Sequence, residues 1–191
     1  MKFNRSELID ELRAEIDNQV DIVNKHYINS PGNRLNKPAL DGGWSVLQCL
    51  DHLNSYGDYY LPKINEALEK AHIRSDEFYR SGWLGDYFTK IMSPETGTKK
   101  HKAFKGHVPG ASLDAAGVLS EFLRQEELLL LYLQKARALD IGSARIPVSI
   151  SKWITMKLGD TFRFLIAHNR RHVLQAERNF NSQDLTPSVT S

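Results

Sequence analysis

The amino-acid sequence predicts an all-α protein, an antiparallel four-helix bundle with a long irregular insertion between the second and third helices. Two observations carry this. Four stretches place apolar residues at helical spacing, and segments rich in Gly and Pro separate them. No stretch shows the sustained two-residue alternation of a half-buried strand, so the helices are expected to bury their apolar faces against one another.

The first helix is predicted over residues 5–27, where Leu8, Leu12, Ile16, Val20 and Val23 recur with charges between them. Residues 29–43, NSPGNRLNKPALDGG, read as a connection. The second helix starts at a capping box, with Ser45 as N-cap and Gln48 at the third helical position, and continues to about residue 72. Trp44, just before the cap, is placed for a hydrophobic staple on Cys49. Pro62 lies within this helix and should kink it, because it lacks an N–H and crowds the preceding turn.

Residues 73–111 form the insertion, with one short amphipathic piece around Trp83 to Ile91. A connection this long is usually functional, which makes it a candidate lid or pocket wall. The third helix is expected from about Leu113 to Ala138 with Ser112 as its cap, and residues 139–157 as an irregular link. The fourth runs from about Thr161 to Phe180, with Asp160 as cap and as a complement to the helix dipole. Residues 1–180 then make one domain, and residues 181–191 a flexible C-terminal tail.

A chain of 191 residues with 41% hydrophobic and 25% charged residues is ordinary globular protein. A net charge of +2 is too small to suggest nucleic-acid binding. The basic cluster Lys99, Lys100, His101, Lys102 and Lys105 sits among Gly and Pro and reads as a solvated loop. The longest apolar run, Leu128 to Leu133, is far too short to cross a bilayer. It is also wider than one core stripe needs and could mark a partner surface, so a homodimer is compatible with the sequence. A lone cysteine, Cys49, rules out an intrachain disulfide and suits a reducing compartment. The acidic, amphipathic start has no secretory h-region. The expected location is the cytoplasm.

The chemistry concentrates on histidine. His168 and His172 are spaced i,i+4, so both imidazoles lie on one helix face, one turn apart. His52 is the best third ligand. At ~100° per residue it lies roughly 120° from the centre of its helix's apolar stripe, on the flank beside Cys49 and Tyr56. Facing helices build metal sites from such positions. His26 and His72 sit at helix ends, and His101 and His107 in the insertion, so these four fit less well. The zinc-protease motif H-E-x-x-H fails, because Asn169 stands where the general base would be. There is no G-x-S-x-G elbow, P-loop or G-x-G-x-x-G. Cys49 and His52 could form a nucleophile pair at i,i+3, but the staple position makes Cys49 a small apolar filler.

Two stretches resemble the DinB-like superfamily of metal-binding bundles, whose members include thiol-dependent S-transferases. Residues 42–53, GGWSVLQCLDHL, are similar to that family's W-S segment leading to a histidine. Residues 158–178, LGDTFRFLIAHNRRHVLQAER, are similar to its last helix with H-x-x-x-H-x-x-Q. Helix order and spacing agree over roughly residues 5–180. The resemblance implies that His52, His168 and His172 are three ligands of one divalent metal ion. It also matches Gln175 to the family's glutamine, which could orient a ligand or a water.

Three neutral nitrogens would leave the ion with open positions and its full charge, the pattern of a catalytic site. Imidazole suits zinc, nickel, iron and copper; zinc is the first expectation, with nickel, iron or manganese as alternatives. The expected function is a metal-dependent transferase that joins a low-molecular-weight thiol to an electrophilic small molecule. Gln48, Tyr56 and Tyr59 are placed to line its pocket. A metal-dependent hydrolase, or a non-enzymatic metal- or ligand-binding stress-response module, are the alternatives. DNA binding is suggested only by the family's name, and the near-neutral charge argues against it.

Overall fold

A computed structural model describes residues 1–74, 76–97 and 102–185. The chain is mostly helical, with six α-helices among these residues: α1 (Arg5–His26), α2 (Gly32–Leu35), α3 (Val46–Lys70), α4 (Trp83–Met92), α5 (Ala115–Ala136) and α6 (Leu158–Ser182). The four long ones fall where sequence periodicity puts them. Both α1 and α3 pack against α5 and α6.

The starts of the helices follow local chemistry. Asn4 caps α1 by accepting from the amides of Ser6 and Glu7. The capping box of α3 forms as expected: the Ser45 hydroxyl accepts from Gln48 N at 3.1 Å, and Ser45 N donates to Gln48 Oε1 at 3.0 Å. Pro62 lies inside α3, and the helix continues through it to Lys70. Two expected caps are corrected. Asp114, not Ser112, caps α5, accepting from Gly117 N at 2.8 Å. Asp160 does not cap α6, which begins at Leu158 without a side-chain cap. Its buried carboxylate instead accepts from Gly82 N at 2.9 Å and from Arg163 at 3.3 Å, which ties the start of α4 to α6.

The expectation of no strands is also corrected. Strand β1 (Lys2–Asn4) pairs antiparallel with β2 (Phe78–Arg80), and β3 (Arg145–Val148) with β4 (Ser151–Lys157). The β3–β4 pair is a hairpin and occupies the segment read as an irregular link. It escapes sequence reading because Pro147 interrupts the run and because Trp153 and Ile154 stay exposed, which spoils the alternation. Only Ile146, Val148 and Met156 turn into the core.

Two apolar clusters fill the interior. One gathers Ile16, Tyr60, Leu129, Leu133 and Phe162; the other gathers Val23, Tyr27, Leu50, Phe122 and Val173. Helix α6 ends at Ser182, and a 3₁₀ turn follows at Gln183–Leu185, where Asp184 pairs with Arg34 at 2.7 Å. The remainder of the expected tail, 186–191, lies outside the described residues, as do Lys99, Lys100 and His101 of the basic cluster. Lys102 and Lys105 are exposed. No helix among the described residues is long and apolar enough to cross a membrane.

Candidate metal centre

His52 sits on α3 where the two clusters meet: Leu53 belongs to one and Tyr56 to the other. The packing of α3 on α6 brings it against the i,i+4 pair His168 and His172. One ring nitrogen from each of the three lies within 4.8 Å of the others. His52 and His168 are buried at 3% and 2% exposure, and His172 is partly buried. The Nε2 atoms of His52 and His168 are 3.2 Å apart. Two nitrogens bound tetrahedrally to one zinc ion would stand about 3.3 Å apart. That one pair matches a shared ion in spacing, the third nitrogen lies within 4.8 Å of both, and three imidazoles suit a divalent ion in chemistry.

Outer partners orient two of the rings. His52 Nδ1 lies 2.6 Å from the main-chain oxygen of His107, and His172 Nδ1 lies 3.0 Å from Gln175 Oε1. Both oxygens accept, so each Nδ1 carries the hydrogen and each Nε2 keeps its lone pair. His168 Nδ1 is buried without a hydrogen-bond partner. Aromatic rings wall the site. Trp44 stands 4.8 Å from His52 and 5.7 Å from His172 between ring centres, and Tyr56 stands 4.4 Å from His168. Phe164 stacks parallel to His168 at 5.9 Å.

This burial disfavours the imidazolium forms. It holds His52 down to about 4 and His172 to about 3, and His168 well below the usual histidine range, with repulsion among the rings adding to the effect at His168. The rings are thus neutral at physiological pH, as ligation requires. Cys49 is fully buried and its thiol is pushed up to about 12, the behaviour of an apolar filler and not of a nucleophile.

Sequence-derived candidates separate here. His52, His168, His172 and Gln175 come together. Tyr56 presents its ring to the histidines, while its hydroxyl is turned to Ser149. Gln48 is occupied by the capping box and by a bond from its Nε2 to Gly110 O at 3.0 Å. The Tyr59 hydroxyl donates to Val148 O at 3.3 Å, away from the triad. Trp44, expected on Cys49, packs on the cluster that contains Cys49 but sets its ring over the histidines. Sequence reasoning set His107 aside as a loop residue, yet it reaches the centre from a 3₁₀ turn at Lys105–His107. Its spacing from the other histidines carries no helical signal.

None of the curated proteins and none of the solved structures matches this chain. A family model does, over residues 8–176, and that span takes in all three converging histidines, Gln175, the whole of α3 and most of α6. The chain belongs to the DinB superfamily.

Proposed function

We propose that this chain is a four-helix-bundle metalloenzyme that holds one divalent ion, zinc first, on His52, His168 and His172, and transfers a low-molecular-weight thiol to an electrophilic small molecule. The observation that carries the reading is the convergence of three neutral imidazoles, His52 and His168 buried and His172 partly so, with His52 and His172 already turned by outer hydrogen bonds to offer Nε2. The ion would supply a Lewis acid with positions left open by three protein ligands, able to acidify a coordinated thiol or water. The chain's own part is to hold the nitrogens neutral, orient them, and keep bulk water from the rings with Trp44, Tyr56 and Phe164. The lone buried cysteine and the absence of a membrane-spanning helix among the described residues support placing it in the cytoplasm. Leu131, 49% exposed on α5, supports a homodimer contact.

Metal analysis of protein purified without a histidine tag tests the first half. About one equivalent of ion is expected, lost in His168→Ala. A screen of thiols against electrophiles tests the second. Transfer that needs the ion and vanishes in His168→Ala supports the enzyme. An ion that raises melting temperature while no thiol alters its spectrum would turn the reading into a binding module.

A further inference from the structure

One stretch of the long insertion lies directly on the metal centre. Residues 105–110 cross the face of α3 that carries Gln48, His52, Ser55 and Tyr56, spaced i, i+4, i+7 and i+8. Every one of these touches the strap. Gln48 donates to Gly110 O at 3.0 Å, and Ser55 Oγ lies 2.9 Å from His107 Nδ1. The Tyr56 and His107 rings pack with centres 4.0 Å apart. His52 Nδ1 meets His107 O at 2.6 Å.

The proton pattern follows from the donors available. Ser55 has one hydroxyl hydrogen and donates it to the main-chain oxygen of His52 at 2.7 Å. It therefore accepts from His107 Nδ1–H. That bond pins the His107 peptide so that its carbonyl faces His52 Nδ1. A carbonyl only accepts, so the His52 hydrogen must reside on Nδ1, leaving Nε2 free toward His168.

We infer that Ser55 and His107 are positioning residues of the metal centre: they dock the 105–110 strap so that the His107 main-chain carbonyl holds His52 in the tautomer that can ligate. This rests on the three-histidine reading above. Ion binding and strap docking are then linked, each strengthening the other.

Cobalt(II) titration of the full chain, read by its visible absorption with a competing chelator, tests it. Ser55→Ala should bind cobalt roughly 10- to 100-fold more weakly, with little change in ion-free melting temperature. Ser55→Thr, which keeps the hydroxyl, should restore binding. His107→Ala should fall in the same range as Ser55→Ala. The inference is overturned if Ser55→Ala binds like the unaltered chain, or if Ser55→Thr is as weak as Ser55→Ala. A His107→Ala loss as large as that of His52→Ala would make His107 a ligand, which also overturns it. Nitrogen NMR of the ion-free protein gives a reading that needs no metal. It should find the His52 hydrogen on Nδ1, and a hydrogen on Nε2 would sink this inference alone. Failure of the unaltered chain to bind any ion would instead remove the reading beneath it.

Discussion

His172 and His52 show how neighbours prepare an imidazole for the proposed ion. Gln175, one turn beyond His172, takes the Nδ1 hydrogen and leaves Nε2 outward. Gln175→Ala should therefore weaken cobalt binding by roughly tenfold, less than His172→Ala, measured by chelator competition. Unchanged affinity would reduce Gln175 to a packing residue. Trp44 offers a built-in reporter. Its ring touches two of the histidines, whereas Trp83 and Trp153 are 81% and 95% exposed. An open-shell ion such as copper or nickel quenches an indole at contact range, so one population of tryptophan emission should vanish on binding. Trp44→Phe should abolish that change. Quenching that persists in the variant would place the ion elsewhere. His168 and His172 were legible because helical spacing exposes an i,i+4 pair, His52 because it flanks the apolar stripe of its own helix, and Gln175 only through the family resemblance. His107 was not, because its approach depends on how a loop folds back.

Close helix–helix packing joins α3 to α5. Gly57, one turn past Leu53 on α3, faces the buried amide of Gln125 on α5, and a Cβ there would collide with that side chain. The two hydrogens of Gln125 Nε2 are shared among Asn54 O at 3.1 Å and Asp58 Oδ1 at 3.0 Å, which tie α5 to α3, and Glu121 Oε1 at 2.7 Å on α5 itself. Gly57→Ala should cost roughly 1–3 kcal/mol by overpacking, despite the gain in helix propensity. An equal or higher midpoint in urea would show that Gln125 moves aside freely. The extents of α1, α3, α5 and α6 followed closely from periodicity, and Ser45 with Gln48 marked one boundary correctly, since a capping box is a local bond. Ser112 and Asp160 misled because several nearby residues can cap a helix. Asp160 was claimed instead by Gly82 and Arg163, partners contributed by packing. The hairpin of β3 and β4 was hidden because only a few of its side chains turn inward.

Two buried sets of titratable groups act oppositely on the stability of the ion-free molecule. The unfolded histidines take up protons near pH 6.5, whereas His52 resists down to about 4 and His172 to about 3. Stability is therefore complete above pH 6.5 and declines as pH falls through that window. Glu126, fully buried and bonded at 2.6 Å by Asn169, is raised by burial to about 8 from an ordinary 4.5. The unfolded chain loses that proton first, so this group lowers stability progressively as pH climbs from 4.5 to 8. Melting temperature should peak near neutrality in the ion-free protein. Glu126→Gln, which keeps the shape and the bond from Asn169, should raise it at pH 8 and scarcely alter it at pH 4.5. A gain of equal size at both would mean that the carboxyl is not held neutral. Periodicity, capping signals and paired histidines lie along the chain, so helix content, the family likeness and the histidine candidates could be read from the order of residues. The meeting of His52 with the α6 pair, the arrival of the His107 carbonyl, and the burial that keeps the rings neutral depend on segments far apart in sequence. Such contacts and their desolvation arise only when the helices pack, so no local pattern encodes them.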